Sequence, residues 1–163
     1  MPGLFHQLWI ATLIVSATVL IHLLGLDALQ SIVRWHLSRF IGWLALDRLL
    51  VPLGIVMGLF VLHGIEIWLY AVIYWHGHML GSLEEALYFS TSAYSTVGET
   101  GALLPVNWRI VGVLESINGM LLIGWSTAFL FQILNHLMGE EEGRHSLPKG
   151  AIARGRRRGP PKA

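Results

Sequence analysis

Apolar residues along this chain fall into three long runs that are separated by more polar segments. Residues 4–26 carry no charged side chain, residues 49–75 carry only Glu66, and residues 110–137 carry only Glu115. A helix needs about 20 apolar residues to cross a hydrocarbon core of roughly 30 Å, and each run is long enough. The pattern predicts an all-α membrane protein whose three transmembrane helices cover residues 1–26, 49–76 and 109–137.

The connector between the first two runs, residues 27–48, has a different pattern. Arg34, Arg39 and Arg48 alternate with apolar residues at a spacing that places most of the apolar side chains on one helical face. This pattern is typical of an amphipathic helix that lies in the membrane interface. A short amphipathic connector without any role in gating fits the same residues equally well.

A fourth segment, residues 83–109, is too short and too polar to cross a bilayer. Ser82, followed by Glu85, forms a capping box and predicts a helix over residues 83–94, which would be about 18 Å long. The two glycines of residues 96–101 then favour an irregular return path. Such backbone is tolerated at membrane depth only where it is buried in protein or lines a water-filled cavity. Several copies of the chain around a symmetry axis would enclose such a cavity.

The run ALYFSTSAYSTVGETG over residues 86–101, followed by Arg109 and Gly119, resembles the pore region of the potassium-channel superfamily. It is most similar to small bacterial ion-channel proteins with one pore domain per chain, and the similarity covers about residues 50–137. The resemblance implies a homotetramer with Gly119 at the hinge of the inner helix. It also implies the parts of a pore domain: an outer helix (49–76), a re-entrant pore helix (83–94), a filter loop (96–101) and an inner helix (109–137).

The filter departs in its outer half from the Thr-Val-Gly-Tyr-Gly-Asp of potassium-selective members, since the six positions read Thr96, Val97, Gly98, Glu99, Thr100 and Gly101. Carbonyls of the first three are expected to coordinate permeant potassium or sodium ions, four chains supplying each ring. Thr100 replaces a glycine of the family, and a β-branched residue resists positive φ by about 1–3 kcal/mol. Reduced selectivity is therefore expected, as in non-selective relatives with an acidic residue at the aromatic position.

Four residues near the loop are predicted to support the filter: Glu66, Ser92, Ser95 and Arg109. A carboxylate within an apolar run is costly, so Glu66 is interpreted either as a hydrogen-bonded acid that braces the filter or as a proton or ion relay. His63 lies three residues earlier on the same helical face and could share a proton with Glu66.

On the third run, residues at four-residue steps from Gly119 share one helical stripe: Ile123, Thr127, Phe131 and Asn135. This stripe is predicted to line the pore, with Phe131 and Asn135 at a cytoplasmic constriction; ordinary helix packing is the alternative. Glu115 is interpreted as a structural partner of the pore-helix region.

The composition, with 54% hydrophobic and 13% charged residues among 163, excludes an ordinary soluble domain. Without cysteine there is no disulfide, thiolate metal site or cysteine nucleophile. The filter loop also lacks the lysine of a phosphate-binding loop, and no catalytic set stands out, so neither an enzyme nor a cofactor is expected. His76 and His78 are interpreted as a solvated turn rather than a metal site, and no metal is expected beyond the permeant cations.

The distribution of charge predicts the orientation in the membrane. Residues 138–163 end in a basic cluster and are predicted to be a disordered cytoplasmic tail, in which Arg156, Arg157 and Arg158 contact anionic lipid rather than nucleic acid. With the arginines of residues 27–48, this predicts that the N-terminus lies outside. The resemblance implies that the membrane is a bacterial plasma (inner) membrane, which the chain crosses several times.

The function expected from these features is passive conduction of monovalent cations, potassium or sodium, by a homotetramer. Four copies of Glu99 at the outer mouth would concentrate cations, or each would turn away and hydrogen-bond behind the filter. A non-conducting membrane assembly or regulatory subunit that keeps the pore fold is the alternative function.

Overall fold

The computed structural model describes residues 3–40, 47–98 and 104–145 of the chain. Within these ranges the regular structure is helical and contains no strand, which confirms the all-α prediction. The elements are α1 (Leu4–Phe40), α2 (Asp47–His76), α3 (Leu83–Tyr94), a single 3₁₀ turn (Val106–Trp108) and α4 (Arg109–His145).

Three of the helices are long and apolar enough to cross a membrane, which confirms that part of the prediction. The candidate spans contain 33, 27 and 30 residues and cover Leu4–His36, Leu50–His76 and Val106–Asn135. α3 is a helix of 12 residues with the bounds predicted for the short helix. At 1.5 Å per residue it is about 18 Å long, which is less than the thickness of a bilayer core.

The chain divides into two units, residues 1–129 and residues 130–163. The first unit contains α1, α2, α3 and the larger part of α4. The described part of the second unit is residues 130–145, which are helical. The prediction that α4 ends at residue 137 and that a disordered tail begins at residue 138 is wrong for residues 138–145, because these are helical. The rest of the predicted tail, residues 146–163, lies outside the described residues.

α1 differs from the sequence prediction, because it continues without a break past residue 26, where a separate connector was expected to begin. No proline interrupts residues 27–40, and packing against α2 favours the longer helix. A Cβ placed on Gly58 of α2 would lie only 2.5 Å from Cδ2 of Leu29. α1 and α2 therefore approach closely on both sides of the expected boundary, since Gly25 likewise lies against the Leu62 side chain.

The start of α3 follows the capping box with one change. The Ser82 hydroxyl accepts a hydrogen bond from the Glu85 N–H at 3.1 Å, as expected. The Glu85 carboxylate was expected to accept from Ser82 in return, but it accepts from the Gly81 N–H at 3.1 Å. The cap thus extends by one residue, and the acidic side chains of the first turn complement the positive end of the helix.

Small residues and aromatic rings pack α3 between α2 and α4. Ala86 and Ala93 have no exposed surface. The rings of Tyr74 and Phe89 meet edge to face, with centroids 5.3 Å apart. A Cβ on Gly112 of α4 would lie 2.9 Å from Cζ of Phe89, so the two helices touch closely there.

Gly119 lies where α4 passes the C-terminal end of α3. A Cβ on Gly119 would overlap the backbone carbonyl of Tyr94 and lie 2.9 Å from its Cγ. The missing side chain is therefore what permits this approach. α4 is helical on both sides of Gly119, and its role as a hinge stays a prediction.

The variant Gly119→Ala is expected to lose about 1–3 kcal/mol of unfolding free energy, because the added Cβ meets backbone that cannot rotate aside. Gly124→Ala is the matched control on the same helix, since a Cβ there has no neighbour within 4 Å. The control should be neutral or gain about 0.5–1 kcal/mol from helix propensity. Unfolding of the detergent-solubilised protein measures both variants, and equal effects would contradict this account of Gly119.

Candidate functional site

Polar side chains of all four helices meet inside the first unit, although the helices are mostly apolar. The set is termed the polar seam. It comprises Thr18 and His22 of α1, His63, Glu66, Tyr70 and Tyr74 of α2, Ser90 and Tyr94 of α3, and Glu115, Asn118 and Ser126 of α4. All are buried except His63, whose side chain is 18% exposed.

Glu66 lies at one end of the polar seam and has no exposed surface. Its Oε1 is 2.9 Å from Nδ1 of His22, and its Oε2 is 3.3 Å from Nδ1 of His63. The same Oε2 accepts a hydrogen bond from the Tyr94 hydroxyl. A carboxylate at membrane depth needs such donors, so Glu66 fits the hydrogen-bonded acid of the first interpretation, while a role as relay stays a prediction.

Tyr94 joins this cluster to the end of α3, because it is the last residue of that helix. Its hydroxyl is also 2.9 Å from Nδ1 of His63. His63 was predicted to share a proton with Glu66, whereas Tyr94 and His22 were not predicted as partners. A histidine within an apolar run, such as His22, is the sequence signal that points to this cluster.

Glu115 forms a second carboxylate cluster, with partners on α2 and α3. The Tyr74 hydroxyl donates to Oε2 at 2.7 Å. Oγ of Ser90 lies 2.5 Å from Oε1 and 2.9 Å from the Ile67 carbonyl oxygen, and a single hydroxyl proton serves one of them at a time. These contacts join Glu115 to α3, as its interpretation as a structural partner of the predicted pore helix requires, while the role of that helix in a pore stays a prediction.

A third group joins α1 to α4. Nδ2 of Asn118 donates to Oγ1 of Thr18 at 2.8 Å and to the Tyr70 hydroxyl at 3.3 Å. Oγ of Ser126 lies 3.4 Å from Nε2 of His22. The three groups together tie every helix of the first unit to at least two others.

α3 ends in a Schellman motif, in which two N–H groups beyond the helix return to its last carbonyls. The Thr96 N–H donates to the Ala93 carbonyl and the Val97 N–H donates to the Ser92 carbonyl, both at 3.0 Å. Glycine usually fills the position of Thr96, which has φ of 59°. A β-branched residue in this conformation costs roughly 1–3 kcal/mol, so the sequence keeps a strained residue at the start of the predicted filter.

Exposed, non-helical backbone follows the end of α3. Thr96, Val97 and Gly98 are exposed, and φ is positive at Thr96 and at Gly98, where it is 107°, but not at Val97. Among the described residues, no group donates a hydrogen bond to the carbonyls of these three. The remaining predicted filter residues, Glu99 and Thr100, lie outside the described residues.

Two other predicted support residues donate hydrogen bonds to local backbone within the described residues. The Ser95 hydroxyl donates to the Thr91 carbonyl at 2.7 Å, and Nε of Arg109 donates to the Leu104 carbonyl at 3.5 Å. Ser92 contributes its carbonyl to the Schellman motif.

The predicted pore-lining stripe of α4 is exposed at each position, namely Ile123, Thr127, Phe131 and Asn135. The Thr127 hydroxyl donates to the Ile123 carbonyl at 2.9 Å, which satisfies it within the helix. Whether these side chains face a pore stays a prediction.

The variant Tyr94→Phe removes one donor to a buried carboxylate and keeps the ring. We expect a loss of about 1–3 kcal/mol of unfolding free energy, because Glu66 then loses one of its hydrogen-bond donors while His22 and His63 remain. Tyr88→Phe on the same helix is the matched control and should change stability by less than about 0.5 kcal/mol, since Tyr88 is exposed. Unfolding titrations in detergent measure the free energy of unfolding of both variants. If Tyr94→Phe is as stable as the parent protein, the hydrogen bond to Glu66 does not contribute as expected.

No family model matches the chain, and the comparisons with curated proteins and with solved structures found no match. Support for a function therefore comes from the polar seam, the end of α3 and the motif at residues 86–101.

Proposed function

We propose that the chain forms a homotetrameric channel that conducts monovalent cations passively through the loop after α3. The observation that carries this proposal is the exposed run Thr96, Val97 and Gly98, whose carbonyls accept no hydrogen bond from the described residues. Non-helical backbone at membrane depth is costly unless it lines a watery cavity or is buried in protein. Carbonyls that replace the water of a permeant potassium or sodium ion meet this condition.

The position of α3 supports a re-entrant path. It is a helix of 12 residues between two helices of membrane-crossing length. It therefore enters the bilayer and the chain returns on the same side. The C-terminal end of α3 carries a partial negative charge, which favours a cation in front of it.

The polar seam supplies the rigidity that a filter needs. Tyr94 holds the last turn of α3 to Glu66, and Ser90 holds the middle of the helix to Glu115. Both anchors lie within eight residues of Gly98 along the chain. Carbonyls fixed in this way keep their spacing without the cost of reorganising around each ion.

Four chains are needed because one loop cannot enclose a pore. Closed cyclic symmetry lets a single gene product surround an axis, and rings of four carbonyls then follow from four loops. In this arrangement the exposed stripe of α4 from Ile123 to Asn135 faces the axis. The protein lies in a bacterial inner membrane with the N-terminus outside, and Arg156, Arg157 and Arg158 contact anionic lipid on the cytoplasmic side.

The reversal potential of the purified protein in planar bilayers, with potassium on one side and sodium on the other, tests conduction. We expect a cation current that reverses near zero, because Glu99 and Thr100 replace the residues of the selective outer rings. Gly98→Ala should reduce the current strongly, since an L side chain rarely adopts its φ of 107°. Gly124→Ala is the control and should conduct as the parent does.

The absence of current across voltages, in a preparation shown to be tetrameric, would contradict a channel. It would favour the non-conducting assembly. A current that is unchanged in Gly98→Ala would place the conducting path elsewhere in the protein.

The combined replacement Glu99→Tyr, Thr100→Gly and Gly101→Asp restores the outer residues of selective members of the family. We expect the ratio of potassium to sodium permeability to rise, because a glycine at position 100 adopts positive φ without strain. Bi-ionic reversal potentials of the parent and the variant measure this ratio. Equal ratios would show that these positions do not set selectivity.

A further inference from the structure

Three metal-ligating atoms converge inside the polar seam, away from the loop that conducts in the proposed function. They are a ring nitrogen of His22, a ring nitrogen of His63 and a carboxylate oxygen of Glu66, and all lie within 4.8 Å of one another. Zinc bonds to nitrogen and oxygen are about 2.0–2.2 Å long, so ligands in a tetrahedron lie roughly 3.3–3.6 Å apart. Nδ1 of His22 lies 2.9 Å from Oε1 of Glu66 and Nδ1 of His63 lies 3.3 Å from Oε2, so both imidazoles already contact the same carboxylate.

We propose that His22, His63 and Glu66 bind one divalent transition-metal ion per chain, with Zn²⁺ as the best match. Two imidazoles and one carboxylate form a ligand set that zinc uses in proteins, and a fourth ligand completes the tetrahedron. Hard cations such as Mg²⁺ and Ca²⁺ prefer oxygen ligands throughout, so two histidines disfavour them. The Tyr94 hydroxyl, bonded to Glu66 and 2.9 Å from His63, takes the fourth position.

Neighbouring residues orient the three side chains for metal binding. When Nδ1 of His22 binds the ion, the ring proton resides on Nε2, and Oγ of Ser126 lies 3.4 Å away to accept it. Histidine ligands usually donate their second nitrogen in this way, which sets the tautomer and the ring orientation. His22 and Glu66 have no exposed surface, while His63 is partly exposed and gives the ion a route inward.

The ion takes the place of protons that the same atoms share in its absence. Without metal, the imidazole of His22 and the hydroxyl of Tyr94 donate to Glu66. With metal, the lone pairs of both Nδ1 atoms, the carboxylate and the Tyr94 oxygen point at the ion, the His22 proton lies on Nε2, and the Tyr94 proton is released to solvent. One ion then joins α1, α2 and the last residue of α3 at a single point, two residues before Thr96.

The test uses the full chain, purified in detergent, stripped with EDTA and titrated with ZnCl₂. We expect one retained zinc ion per chain by elemental analysis after gel filtration, and a raised melting temperature. His22→Gln and His63→Gln should weaken zinc binding by about 100-fold or more, and Ser126→Ala by about 10-fold. The matched control is the double variant His76→Gln, His78→Gln, which removes two histidines outside the proposed site and should retain the ion.

X-ray absorption at the zinc edge gives a second readout that needs no variant. The expected spectrum has nitrogen and oxygen neighbours near 2.0–2.2 Å and the scattering pattern of two imidazoles. Either of two results overturns the proposal: no zinc retained by the parent protein, or zinc that survives His22→Gln and His63→Gln but is lost in the His76, His78 double variant. A spectrum without imidazole neighbours overturns it as well. None of these measurements depends on a current, so failure of conduction and failure of the metal site are separable.

Discussion

Two carboxylates inside an apolar helix assembly set the conditions under which these helices can pack. A buried charge without partners costs several kcal/mol, so Glu66 and Glu115 each need donors from neighbouring helices. His22 of α1 and Tyr94 of α3 serve Glu66, and Tyr74 of α2 serves Glu115. A rotation of any one helix would remove at least one donor. The contribution of the polar seam is therefore to select a single packing, more than to add stability.

The need of the two carboxylates for donors constrains α3 most, because this helix has only 12 residues and therefore little surface to pack against its neighbours. Ser90 and Tyr94 lie four residues apart on one face, yet they reach different carboxylates on α4 and α2. The helix is thus fixed in rotation and in depth. Gly119 allows α4 to approach the carbonyl of Tyr94 at the end of α3. The strained Thr96 lies two residues further on. Its own N–H bonds to the Ala93 carbonyl, and the N–H of Val97 bonds to the Ser92 carbonyl.

The two proposals share Tyr94. For conduction it is the anchor that keeps the loop carbonyls in place, and for the metal site it is the fourth ligand. An ion bound by His22, His63 and Glu66 would stiffen the same turn of α3 that precedes the loop. This connection comes from position alone, since Tyr94 ends the helix and its hydroxyl lies within 2.9 Å of His63.

The sequence by itself determined the features that depend on neighbours along the chain. Hydropathy and length predicted three membrane-crossing helices, and the Ser82 cap predicted where α3 begins, because both signals are local. Only the tertiary structure decided which helix faces meet. His22 and Glu66 are 44 residues apart, and Asn118 and Thr18 are 100 apart. Periodicity shows that a residue lies on a helical face but not which face opposes it. The unbroken course of α1 past residue 26 has the same cause, since it is favoured by packing against α2.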